Sequence, residues 1–162
     1  MIRNAELTDL PEIQVIYAGA RAFMKQTGNP TQWGDTYPSE EMLRDDIANR
    51  WLYVYEVDGR MQAVFAFIGG EDPTYGKIEG AWLNDDPYMA VHRVASRGEV
   101  RGVTAAVLDW CSKRCSNLRI DTHDDNLPMQ NAIRRCGFTY CGRIWYFDGS
   151  RRIAFQRIYE EA

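Results

Sequence analysis

The sequence predicts an α/β (α+β) fold, a three-layer sandwich with helices packed on a central mixed sheet. Three observations predict it. Helical spacing alternates with strand-like stretches in the order β-α-α-β-β-β-α-β-α-β-β. The 162 residues suit one domain large enough to bury a core. At 45% hydrophobic and 26% charged residues, the composition excludes a disordered chain and a fibrous repeat. No repeat, low-complexity tract or Pro/Ser-rich linker interrupts 1–162, so the chain reads as a single domain.

Ile2 to Ala5 reads as a short strand. Asp9, with Glu12 three residues on, reads as an N-cap of capping-box type, and Ile13, Ile16, Tyr17, Ala20, Phe23 and Met24 follow at helical spacing up to a stop at Gly28. Residues 28–38 form a loop with two aromatics, Trp33 and Tyr37, which serve either as buried staples or as a substrate-lining wall. Ser39 opens a second helix carrying Met42, Leu43 and Ile47. Trp51–Val57 and Met61–Ile68 read as strands joined by the hairpin signal Asp58-Gly59. Gly69 to Gly80 is loop-like, and Met89–Ala95 is the next strand. Val103, Val107, Leu108 and Cys111 mark a helix ending near Cys115; Leu118–Thr122 is a strand and Met129–Arg135 a helix. Phe138–Phe147 and Arg152–Ile158 close the chain as strands joined at Asp148-Gly149-Ser150.

A net charge of −4 argues against nucleic acid as the main partner and leaves room for a local basic pocket that takes a phosphorylated small molecule. No apolar run is long enough for a membrane span, and Met1 to Asp9 lacks the apolar core of a secretion signal. Cys111, Cys115, Cys136 and Cys141 form no C-x-x-C pair and read as reduced thiols of a cytoplasmic protein. With two histidines and no dense ligand cluster, no metal is expected; Asp121, His123, Asp124 and Asp125 lie near one another, but adjacent strand residues point to opposite faces.

The segment from Met89 to Trp110 carries the strongest chemical signal: a strand, a loop with Gly98 and Gly102, Arg97 and Arg101, then a helix. A helix N-terminus exposes unpaired N–H groups and a positive dipole end. Glycines admit a phosphate to the backbone, and arginines add charged donors.

This loop resembles the acyl-CoA pyrophosphate loop of the GNAT N-acetyltransferase superfamily, Gln/Arg-x-x-Gly-x-Gly/Ala, with Arg97 at its first position, Gly102 at its last and Val100 in place of the central glycine. Leu118 to Asn126, followed by the helix up to Gly137-Phe138, is similar to the family's strand–Asn–helix–Gly-Phe segment; Asn126 stands eleven positions before Gly137, the spacing of the family's cofactor-contacting asparagine. The resemblance implies a mostly antiparallel sheet splayed at a cofactor cleft. It also implies acetyl-CoA as cofactor, held by Val94, Ala95, Arg97, Gly98, Val100, Arg101, Gly102, Val103 and Asn126. Val94 and Ala95 would meet the pantetheine arm, and the loop residues the pyrophosphate.

It further implies a primary-amine acceptor, a small molecule or amino-acid-like compound, bound at the loop of Trp33 and Tyr37. The monomer-or-homodimer question stays open. The family's tyrosine acid falls at Ile133, which leaves Tyr140, Tyr146 and Cys136 as candidate acids, or none, because a thiolate leaves with little help. His123 and His92 are the candidate bases by their ordinary pKa, with Glu79 and Asp121 as runners-up. Two rival readings remain: a CoA-binding or sensory protein of weakened activity, which Val100 and Ile133 favour, and a peptide or protein N-acetyltransferase.

Overall fold

In the computed structural model, which describes residues 1–160, the strands are β1 (Ile2–Asn4), β2 (Leu52–Val57), β3 (Arg60–Gly69), β4 (Glu79–Gly80), β5 (Met89–Ser96), β6 (Asn117–Thr122), β7 (Thr139–Trp145) and β8 (Arg151–Ile158). They form one sheet in the order β1-β2-β3-β5-β6-β8-β7-β4. Every neighbouring pair is antiparallel except β5 and β6. The helices are α1 (Leu10–Gln26), α2 (Glu40–Ala48), α3 (Val103–Ser112) and α4 (Leu127–Arg135).

The two faces of the sheet bury separate cores, and β3 shows why. Side chains alternate along a strand, so Val64 and Ala66 pack with Leu10, Ile13, Ile16 and Leu43 of α1 and α2, while Ala63, Phe65 and Phe67 pack with Val103, Val107, Leu108 and Ile133 of α3 and α4. That burial on both sides makes β3 apolar almost throughout.

Most local signals hold. Ser39 caps α2 by accepting from the Met42 N–H at 3.1 Å. Asp58 and Gly59 take φ values of 52° and 77°, the left-handed pair that a tight hairpin turn requires. Asn126 caps α4, accepting from the Met129 N–H at 3.2 Å, so the helix starts at Leu127 rather than at Met129. Two readings need correction. Asp9 stands at the N-cap of α1 but forms no box with Glu12; a short 3-10 turn, Leu7–Asp9, precedes the helix, and the Asp9 side chain accepts instead from the Glu6 N–H and from Arg3. The stretch from Gly69 to Gly80 is not all loop: it holds a 3-10 turn and β4, a two-residue edge strand too short to show a period.

The topology places one gap in the sheet. β5 and β6 pair only from Met89–Val91 to Leu118–Ile120 and then part. Parallel strands that separate leave backbone groups unpaired on their facing edges.

Candidate active site

Where β5 leaves β6, β5 also bulges against β3, with a register shift between Val64 and Ala66. At the bulge Arg93 takes a positive φ of 52°, which is costly for a residue with a side chain and must be held by its surroundings. Two anchors hold it. The Tyr17 hydroxyl of α1 donates to the Arg93 carbonyl at 2.7 Å. The Arg93 guanidinium donates to both carboxylate oxygens of Asp46 of α2, at 2.9 and 3.0 Å, and both side chains are buried. Burial, the largest single influence, would lower Arg93, but the Asp46 charge together with the Tyr37 and Tyr17 hydroxyls outweighs it and holds the guanidinium above its ordinary value.

Three cavities with shared walls occupy the gap. A groove of about 300 Å³ runs between Val94–Gly98, the start of α4 and the C-terminal half of α1. A narrow passage of about 40 Å³ shares Met24, Val94, Asn126 and Met129 with that groove. An outer pocket of about 350 Å³, walled by Gly69–Thr74, Trp51 and Phe147, shares His92, Arg93 and Tyr146 with the passage. Together they trace a route through the opened sheet.

His92 stands at the junction of passage and outer pocket. Its Nε2 lies 2.7 Å from Asp72 Oδ2 and its Nδ1 3.6 Å from Asp121 Oδ1. Asp121 also accepts from the Tyr75 hydroxyl at 2.7 Å. Burial pulls the Asp72 carboxyl up, but the bond and charge of His92, with the bonds from Thr74, outweigh it and hold the group at about 2. Across the passage the Tyr146 and Tyr37 hydroxyls are 2.8 Å apart. Burial pushes Tyr146 above its ordinary value, so it stays protonated.

At the far end of the groove, Gly98 and Gly102 take φ values of 86° and 75°. A Cβ built on either would meet nothing within 4 Å, so the space over this backbone is open. Gly102 is the N-cap of α3, whose first-turn N–H groups, on Val103, Thr104 and Ala105, have no intrahelical acceptor. Val100 is absent from the positive-φ residues and is half-buried against the second core.

The residues named from sequence fall into three groups. Val94, Ala95, Arg97, Gly98 and Asn126 line the groove, and Val94 and Asn126 also line the passage, where the Asn126 Nδ2 donates to Gln32 at 3.0 Å. Trp33 and Tyr37 line the passage rather than the outer pocket, and Trp33 is packed in the first core with Tyr17. Arg101 is exposed at the loop, whereas Arg97 is spoken for: its guanidinium pairs with Glu12 of α1 and donates to the Met61 carbonyl at 2.7 Å.

The third group stands outside the route. Glu79 is exposed on the edge strand β4, paired with Arg143 of β7. Tyr140 is 47% exposed on β7 and meets the Phe155 ring edge-on. His123 holds its own turn, accepting from the Asp125 N–H at 3.0 Å. Cys136 ends α4, and Cys141 is buried on β7. None of these lines the groove, passage or outer pocket. Ile133 is fully buried in the second core. Among the described residues, no group of three or more His, Cys, Asp or Glu side chains is arranged to hold a metal ion.

Sequence reasoning missed Asp46, Asp72, Arg93, Thr122 and Arg152. Asp46 stands on the buried side of α2 with Leu43 and Ile47, where a lone carboxylate among apolar positions was the one available signal, and Asp72 lies in a stretch with no period. Thr122 and Arg152 had a weak signal, as polar residues at inward strand positions.

No family model matches the chain. A crystal structure of an acetyltransferase of the GNAT family from Streptococcus agalactiae is 32% identical and superimposes with a TM-score of 0.90, covering 99% of this chain and 96% of that one. The peptidyl-lysine N-acetyltransferase YiaC of Escherichia coli is 23% identical over 146 residues, covering 90% of this chain and 87% of that protein. A putative acetyltransferase from Salmonella typhimurium, its structure described with its cofactor acetyl-CoA, has a TM-score of 0.63 at 17% identity, covering 100% of this chain and 95% of that one. At that identity the likeness speaks to the fold alone.

Proposed function

This chain belongs to the GNAT family of acetyl-CoA-dependent N-acetyltransferases, and on that premise we propose that it acetylates the primary amine of a small, amino-acid-like acceptor by direct attack. The observation that carries this reading is the route through the sheet, with a groove on one side, a pocket on the other and His92 at their junction.

The groove fits acetyl-CoA. Its open backbone at Gly98 and Gly102, the free N–H groups that start α3, and Arg101 would take the pyrophosphate; Val94, Ala95 and Asn126 would flank the pantetheine arm. The cofactor supplies an acetyl group activated as a thioester. Val100 does not obstruct this fit, because the left-handed turns of the loop fall at Gly98 and Gly102.

The chain's part is to position an amine in the outer pocket and to take its proton. The new bond is C–N, the broken one C–S, and the proton released by the ammonium needs an acceptor. In the tautomer whose Nε2–H donates to Asp72, the Nδ1 lone pair of His92 is that acceptor, and Asp121 and Asp72 then stabilise the imidazolium. Tyr146 and Tyr37, joined through their hydroxyls, close the opposite wall. The second N–H proton, lost as the tetrahedral adduct collapses, passes to the departing thiolate directly or through water, so no residue here needs to act as the acid.

The described residues share one sheet, and we read them as one catalytic domain. Four free cysteines suit a reducing, cytoplasmic setting. A peptidyl-lysine acceptor is the second reading, suggested by the Escherichia coli relative. Thiol release from acetyl-CoA, measured with a panel of free amino acids and with a lysine-containing peptide, tests both. Turnover with amino acids supports the first; turnover confined to the peptide replaces it with the second.

A further inference from the structure

Arg152 on β8 is a buried cation that, among the described residues, makes no ion pair; the Asp148 carboxyl feels its charge only from beyond ion-pair distance. Arg152 is 4% exposed and lines the passage. Its Nη2 donates to the Gln32 carbonyl at 3.1 Å, its guanidinium lies 5.0 Å from the Tyr146 ring centroid, and its Nε has no partner. The ion pairs of arginine among the described residues use Arg3, Arg44, Arg60, Arg93, Arg97 and Arg143 instead. Arg93, the other arginine at the passage, is already matched by Asp46. Burying a charge unmatched is costly, so a charge left this way beside a cavity marks a place where an anion binds.

A second group says the same. Thr122 on β6 is 1% exposed and lines the same passage, and its Oγ1 has no hydrogen-bond partner. Negative charge gathers around His92, with Asp72 and Glu71 on the outer pocket and Asp121 on the passage wall beside Thr122, so an amine is drawn toward His92 and a carboxylate toward Arg152.

Resting on the N-acetyltransferase reading, we propose that Arg152 and Thr122 form a carboxylate subsite, and that the acceptor is a free amino acid. Its carboxylate sits on Arg152 while its amine faces His92. A lysine inside a peptide has no free carboxylate at this distance from its amine, so the subsite selects against it.

The test compares free L-amino acids with their methyl esters as acceptors for the full chain, by thiol release at saturating acetyl-CoA. The wild type should favour the acid over its ester, and Arg152→Gln should collapse that ratio by about 10- to 150-fold, the scale of a hydrogen bond to a charged group. Arg152→Lys should restore part of the ratio. Thr122→Val, which keeps the shape of the side chain, should lower it by several-fold; this variant and the wild-type ratio serve if Arg152→Gln does not fold. Esters used as well as acids by the wild type would overturn the proposal. So would an Arg152→Gln variant that slows acids and esters equally, which would make Arg152 a stabiliser of the reacting carbonyl. Transfer to neither acids nor esters would instead overturn the acceptor reading beneath it.

Discussion

Asp46→Ala removes the carboxylate that holds Arg93 and leaves a guanidinium buried at the bulge. Both partners are nearly inaccessible, with side chains 4% and 8% exposed, and the pair is doubly bonded at 2.9 and 3.0 Å. Breaking a buried pair by deleting one member costs about 3–5 kcal/mol. At about 2–4 °C per kcal/mol for a chain of this size, the melting temperature should fall by roughly 6–20 °C. Replacing both members, Asp46→Leu with Arg93→Met, removes the unmatched charge and should recover most of that loss. It should not recover activity, because Arg93 also donates to the Tyr37 hydroxyl at 3.4 Å and its backbone shapes the bulge. Thermal unfolding followed by circular dichroism gives the stability, and thiol release gives kcat/KM. An Asp46→Ala variant within about 1 kcal/mol of wild type, the worth of a surface pair, would refute the claim that this pair anchors the site.

The two loop arginines should separate. Arg101→Glu should weaken acetyl-CoA binding by about 1–3 kcal/mol in calorimetry, while Arg97→Glu, which sets a charge against Glu12, should lower stability more than affinity; equal effects on affinity would place Arg97 in the phosphate site after all. Val100→Gly should keep acetyl-CoA affinity and cost about 1–2 kcal/mol of stability through lost packing and added chain freedom; loss of affinity would show that the loop works by another geometry. Asp72, held at about 2 against an ordinary 3.8, has its folded pKa below its unfolded one. Its stabilisation is therefore whole above pH 4 and is lost as pH falls through 2. Wild type should lose about 2 kcal/mol more than Asp72→Asn between those limits, read from melts at each pH; parallel losses would mean that His92 and Asp72 do not interact.

Much of this architecture was legible in the residues because the signals are local. The Asp58-Gly59 turn, the Ser39 cap and the alternation within each strand follow from neighbours a few positions apart. β4 was not legible, because two residues carry no period and its pairing with β7 is fixed by close backbone approach at Gly80 and Gly142. The groove residues Gly98 and Asn126, and Gly102 at the start of α3, could be named from spacing. The proposed proton acceptor could not. His92 and His123 look alike as residue types, and what separates them is Asp72, twenty positions from His92 and brought to 2.7 Å only by the fold. Arg97 shows the converse: its place in the loop suggested a phosphate donor, yet Glu12, 85 positions away in α1, occupies it. A buried Arg152 without an ion pair is also invisible to spacing, because only the packed structure shows that no carboxylate among the described residues meets it.

The central claim is that the acceptor amine loses its proton to His92 inside the opened sheet, and the pH dependence of kcat/KM tests it most directly. Wild type should rise with pH through one ionisation and level off. His92→Gln should lose that limb and fall in rate by about 10²–10⁴-fold, with acetyl-CoA affinity kept, and His123→Gln should retain both rate and profile. A His92→Gln variant with the wild-type rate and limb would contradict the account, as would a His123→Gln variant that loses them.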